Sequence, residues 1–99
     1  MKHFIIETTY LVPFEQLDDI RPAHRAFLQT GYQRGWCLCA GPKAAHDGGL
    51  IIARAPSVEE LQDFLKDDPY NQKKLATYRL IEFEPVSFQP FMEEWVKTG

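Results

Sequence analysis

Residues 36–55 read Trp36-Cys37-Leu38-Cys39-Ala40-Gly41-Pro42-Lys43-Ala44-Ala45-His46-Asp47-Gly48-Gly49-Leu50-Ile51-Ile52-Ala53-Arg54-Ala55. The first five are apolar and lack turn formers, which predicts a strand ending at the Gly41-Pro42 turn dipeptide. His46-Asp47-Gly48-Gly49 continues the turn, and Leu50 to Ala55 is an apolar run of strand length. The stretch therefore predicts an antiparallel hairpin with a long loop.

Helical spacing appears on both sides of that hairpin. Upstream, Phe14, Leu17, Ile20, Phe27, Leu28 and Gly31 recur at three- and four-residue intervals, predicting a helix from Pro13 to about Arg34 that Gly35 stops. Pro22 lies inside it, where a proline costs about 3 kcal/mol, so it either kinks this helix or marks its true start with Arg21 just before it. Downstream, Ser57-Val58-Glu59-Glu60 fits a capping box: Ser57 accepts the Glu60 amide while the Glu60 carboxylate reaches back to the Ser57 amide. A helix then runs from Val58 to near Lys66 with Val58, Leu61, Phe64 and Leu65 on one stripe.

The outer segments complete the order. His3 to Tyr10 is rich in Phe, Ile, Thr and Tyr and reads as a strand. Asp68-Pro69-Tyr70-Asn71 opens a short helical piece to about Leu75, and Thr77 to Val86 alternates as an edge strand interrupted by Pro85. Pro90 begins a terminal helix holding Phe91, Met92, Trp95 and Val96. The sum is an α+β chain in the order β-α-β-β-α-β, the ferredoxin-like arrangement, with two helices on one face of a four-stranded antiparallel sheet and a short C-terminal helix. Residues 1–99 form a single domain on this reading, with 87–99 as an extension.

Two helices cannot hide both faces of the sheet. Leu50 and Ile52 point to one side of their strand and Ile51, Ala53 and Ala55 to the other, while Leu80 opposes Ile81 and Phe83. The open face is thus expected to be buried against a second subunit.

Composition narrows the function classes. The 99 residues carry 11 Lys and Arg against 14 Asp and Glu, a net charge of −3, which speaks against a nucleic-acid or anionic-lipid footprint. The N-terminus meets charge before a signal-type apolar run forms, and no stretch nears the about 18 apolar residues of a membrane span, so a cytoplasmic protein is expected. Cys37 and Cys39, two residues apart on one strand face, are read as reduced core thiols. With His46 they make at most three metal ligands without a fourth, in no familiar zinc spacing, so no metal is expected. The glycines match no phosphate loop, Ser57 and Ser87 have structural explanations, and no cofactor motif is visible.

Two short motifs carry chemistry. In Arg21-Pro22-Ala23-His24, helical geometry sets Arg21 beside Leu17 and Leu28 and His24 near the middle of the inward stripe. His24 is then either a satisfied core histidine with Arg21 reaching the rim, or an acid/base group in a pocket with Arg21 as anion binder. In Asp67-Asp68-Pro69-Tyr70, Asp68 is a natural N-cap followed by Pro at the first helical position, and the same carboxylate has acceptor sites left to orient a histidine.

Together, Arg21-x-x-His24, Ala40-Gly41-Pro42, Gly49 and Asp68-Pro69-Tyr70 resemble the YciI-like family of the dimeric α+β barrel superfamily over roughly residues 1–85. The resemblance implies a ferredoxin-like protomer, a homodimer joined through its sheets, and a cleft with a His–Asp acid/base pair, here His24 and Asp68. Arg21, Tyr70, Gly41 and Pro42 are expected to bind a small-molecule substrate there, with packing as the alternative role of Tyr10 and Tyr70. A characterised member removes halide from a chlorinated hydroxyquinol. The segment after Val86 exceeds the pattern and is expected on the partner or in a higher oligomer.

The expected function is a small cytosolic enzyme performing elimination, isomerisation or hydrolysis on a small anionic organic substrate. The alternative is a non-catalytic dimeric ligand-binding or assembly module. A third class, the heme- or oxygen-using barrels, would require an absorbing cofactor that nothing in the sequence suggests.

Overall fold

A computed structural model describes residues 1–99. Its sheet is built on the hairpin of β2 (Cys37–Pro42) and β3 (Gly48–Ala55). β1 (Lys2–Tyr10) pairs antiparallel with β3 on one side and with β4 (Ala76–Phe83) on the other, giving the order β2-β3-β1-β4. Both hairpin strands run further into the turn than the sequence suggests. Pro42 is accommodated because β2 is an edge strand. Gly48 joins β3 opposite Thr9 because it has no side chain: a Cβ there would overlap the Thr8 carbonyl.

β2 also corrects the reading of the cysteines. Its register slips between Cys37 and Cys39, a bulge that breaks the two-residue side-chain period. Cys37 is buried and its thiol is pushed up to about 11 by that burial, whereas Cys39 is exposed, so they are not a pair of core thiols.

The long upstream helix is two elements. Phe14–Leu17 forms a 3-10 turn, and α1 begins at Arg21 and runs to Gln33. Pro22 occupies the first turn of α1, where its missing N–H costs nothing, so it marks the helix start and Arg21 is the first helical residue. α2 (Val58–Leu65) starts as expected at Ser57, which accepts the Glu60 amide at 3.2 Å; the Glu60 carboxylate, however, meets the Ser57 hydroxyl at 3.0 Å rather than its amide. α3 (Pro69–Gln72) ends earlier than sequence spacing suggests, and β4 stops at Phe83, ahead of Pro85. The terminal segment is a 3-10 turn, Pro90–Met92, followed by α4 (Glu93–Lys97).

The core lies between the sheet and α1 and α2. Phe4 and Ile6 of β1, Ile51, Ala53 and Ala55 of β3, and Leu61, Phe64 and Leu65 of α2 are buried together. Full burial of side chains such as Phe4, Ile6 and Leu61 is worth about 2 kcal/mol each. A smaller cluster of Leu17, Tyr70 and Ala76 packs under the start of α1 and α3, and this cluster positions the site. On the opposite face Ile5 lies between Ile52 and Ile81, and Leu50, Ile81 and Phe83 remain 42, 36 and 38% exposed. α4 covers only the end of that face where His3 and Arg54 pair.

Candidate functional site

Asp68 is the N-cap of α3, preceding Pro69 at the first helical position. Its Oδ1 accepts the Tyr70 amide at 3.0 Å, the ordinary capping bond. The same oxygen accepts Nδ1 of His24 at 2.8 Å, and Oδ2 accepts the Tyr78 hydroxyl in a very short bond. The carboxyl group is fully buried, so these three donors replace its hydration. Capping and histidine orientation therefore coexist in one side chain.

An ionised carboxylate only accepts hydrogen bonds, so the hydrogen of the neutral His24 ring resides on Nδ1 and Nε2 keeps its lone pair. Nε2 has no partner within the chain. The ring stacks on Tyr70 at 4.0 Å and 6°, which fixes its plane, and the His24 side chain is 18% exposed. Tyr70 in turn meets Tyr10 edge-on at 5.9 Å. Burial pushes the phenols of Tyr10, Tyr70 and Tyr78 up, keeping them protonated at neutral pH and so available as donors.

His24 lines a cavity of about 330 Å³ between α1 and the turn end of the hairpin. Arg21, Tyr70, Gly41 and Pro42 all line it too, so five of the six residues singled out from the sequence share one hollow, with Asp68 directly behind His24. Arg21 lines the cavity together with Leu28. Its guanidinium donates to Asp18 at 2.7 Å and to the Phe14 carbonyl at 3.0 Å, and covers the Phe14 ring at 4.2 Å. The Asp18 bond is the main reason its affinity for the proton is raised. Gly41 faces open space, since a Cβ there would meet nothing within 4 Å.

Sequence reasoning missed Tyr78, Arg25, Gln29 and Tyr32. Tyr78 shares the inward parity of Ala76 on β4, a signal that was present, but its distance from Asp68 in the chain hides the bond. Arg25, Leu28, Gln29 and Tyr32 follow His24 at helical spacing and line the cavity with it. Cys37, Cys39 and His46 are not gathered, and no group of three His, Cys, Asp or Glu is placed to hold a metal ion. No helix is long and apolar enough to cross a membrane.

The YCII-related domain family matches over residues 1–84. The YciI proteins of Escherichia coli O6:H1 and of Shigella flexneri are each 34% identical to the chain over 82 residues, covering 73% of this chain and 76% of theirs. Among solved structures, the 5-chloro-2-hydroxyhydroquinone dehydrochlorinase of Burkholderia phenoliruptrix AC1100, in complex with 2,5-dihydroxybenzoquinone, superposes with a TM-score of 0.63 at 20% identity. That match covers 90% of this chain and 94% of the dehydrochlorinase, and it supports the ferredoxin-like α+β fold.

Proposed function

Because the chain belongs to the YCII-related family, we propose that it is a small enzyme using His24 and Asp68 for proton transfer on a small anionic organic substrate. The observation that carries this reading is the 2.8 Å bond from His24 to a buried, three-fold bonded carboxylate, with the other ring nitrogen free beside a cavity. In the reaction, Nε2 takes a proton from the substrate or from a water attacking it, the imidazolium that forms is stabilised by Asp68, and the proton is passed on to the product, the leaving group or solvent. Elimination, isomerisation and hydrolysis all fit that cycle. The dehydrochlorinase that shares the fold performs an elimination by name, which favours the first.

Arg21 supplies positive charge, Tyr70 fixes the imidazole plane, and Gly41 and Pro42 shape the floor. Residues 1–99 act as one domain. Two copies pair through the open face, where Ile5, Ile52 and Ile81 line up across three strands and Leu50 and Phe83 are exposed. Both cysteines are unpaired, in keeping with the cytoplasm as the place of action.

The test is deuterium incorporation from heavy water into a panel of small organic anions with acidic C–H bonds, followed by NMR. The wild type is expected to exchange at least one class of compound, and His24→Asn to lose about a hundredfold or more of the rate. Tyr78→Phe should retain partial activity and a reduced share of the Nδ1–H tautomer, read from imidazole ¹⁵N shifts. Equal exchange in wild type and His24→Asn would sink the acid/base reading in favour of a binding module.

A further inference from the structure

We infer that Arg25, with Gln29 one turn on, anchors the carboxylate of an elongated, flat organic acid lying along α1. This assignment rests on the cavity being the substrate site.

α1 presents two rows to the cavity, each with a four-residue step that returns to the same helix face. The inner row is His24, Leu28 and Tyr32, half-buried; the outer row is Arg21, Arg25 and Gln29. The inner row offers a base, an apolar floor and a phenol. The outer row offers only hydrogen-bond donors and one amide oxygen. A ligand laid between α1 and the hairpin therefore meets apolar contact along its body and cationic donors along one edge.

Charge selects the sign of that edge. The chain holds more acids than bases, yet no Asp or Glu lines the cavity. Of its two arginines, Arg21 already spends donors on Asp18 and the Phe14 carbonyl. The Arg25 guanidinium has no hydrogen-bond or ion-pair partner in the chain and is exposed at the mouth. A guanidinium with all five N–H groups free is matched in shape by a carboxylate, which it grips with two parallel bonds. The cavity is at the small end of the range for ligand pockets, so the acid is a small one.

The test uses 2-naphthoate and its neutral counterpart 2-naphthamide, titrated into the protein and followed through the backbone amide shifts of Leu28 and Tyr32. Naphthoate is expected to bind more tightly than naphthamide. Arg25→Gln should weaken naphthoate by about tenfold while leaving naphthamide unchanged. Arg21→Gln should weaken it less and chiefly lower the unfolding temperature. Naphthamide binding as well as naphthoate, a loss below about threefold in Arg25→Gln, a larger loss in Arg21→Gln, or no naphthoate binding at millimolar concentration each overturns the assignment. The Arg25 effect is expected to persist in His24→Asn, because it is read as binding, so a failed acid/base cycle and a failed anchor give different results.

Discussion

Two histidines on opposite faces of the sheet have opposite surroundings. His24 gives Nδ1 to a buried carboxylate and keeps Nε2 beside a cavity. His3 gives Nε2 to the Val96 carbonyl at 3.3 Å, lies edge-on to Trp95 at 6.3 Å, and pairs across the strands with Arg54. Burial, with help from the N-terminal ammonium and Arg54, lowers the pKa of His3 despite the carbonyl bond. The imidazole thus meets a carboxylate at one place, and dry surroundings and cations at the other. The first arrangement suits proton traffic; the second ties a terminal helix down.

The contrast is broken most severely at Asp68. Asp68→Ala leaves the Tyr70 amide, the Tyr78 hydroxyl and His24 Nδ1 without their acceptor in a buried corner. Urea denaturation should show a loss of about 3–5 kcal/mol, and a loss below about 1 kcal/mol would reduce Asp68 to an ordinary surface cap. At the other corner, Arg54 donates to the Trp95 and Thr98 carbonyls and lies over the Trp95 ring at 4.3 Å. Arg54→Ala should cost about 1–2 kcal/mol. Amide exchange should accelerate across residues 93–98 and stay slow in β1; unchanged exchange in 93–98 would show that something else holds α4.

The smallest effect is set by pH. His3 has a folded pKa below its ordinary value of 6.5, so the unfolded chain binds the proton more readily. Stability from this group is complete above about 6.5 and declines as pH falls toward the folded value. The unfolding temperature of wild type should therefore drop between about pH 7 and pH 5 more steeply than that of His3→Gln. Parallel curves for the two proteins would remove His3 from the account.

How much of this was legible depends on the range of the interaction. The hairpin, the Ser57 cap and the Asp68-Pro69 cap are decided within a few residues, and they emerge from local spacing. The break before Arg21 was legible as an alternative, because Pro22 cannot donate an N–H; its resolution came from packing of Leu17 beneath Tyr70 and Ala76. The Cys37 bulge was not legible, since a register slip depends on the partner strand. At the site, His24 and Asp68 could be nominated separately from helix phase and capping, whereas Tyr78 enters only through the antiparallel pairing of β4 with β1. Arg25 was overlooked for a different reason: an exposed arginine on a helix is ordinary until a hollow is known to lie beside it.

Gly41 gives the architecture one more property. Its missing side chain would extend into empty space rather than into neighbouring atoms. Gly41 pairs with Leu50, so carbon added at that backbone position would thicken the open face of the sheet and leave the hollow beside His24 its size.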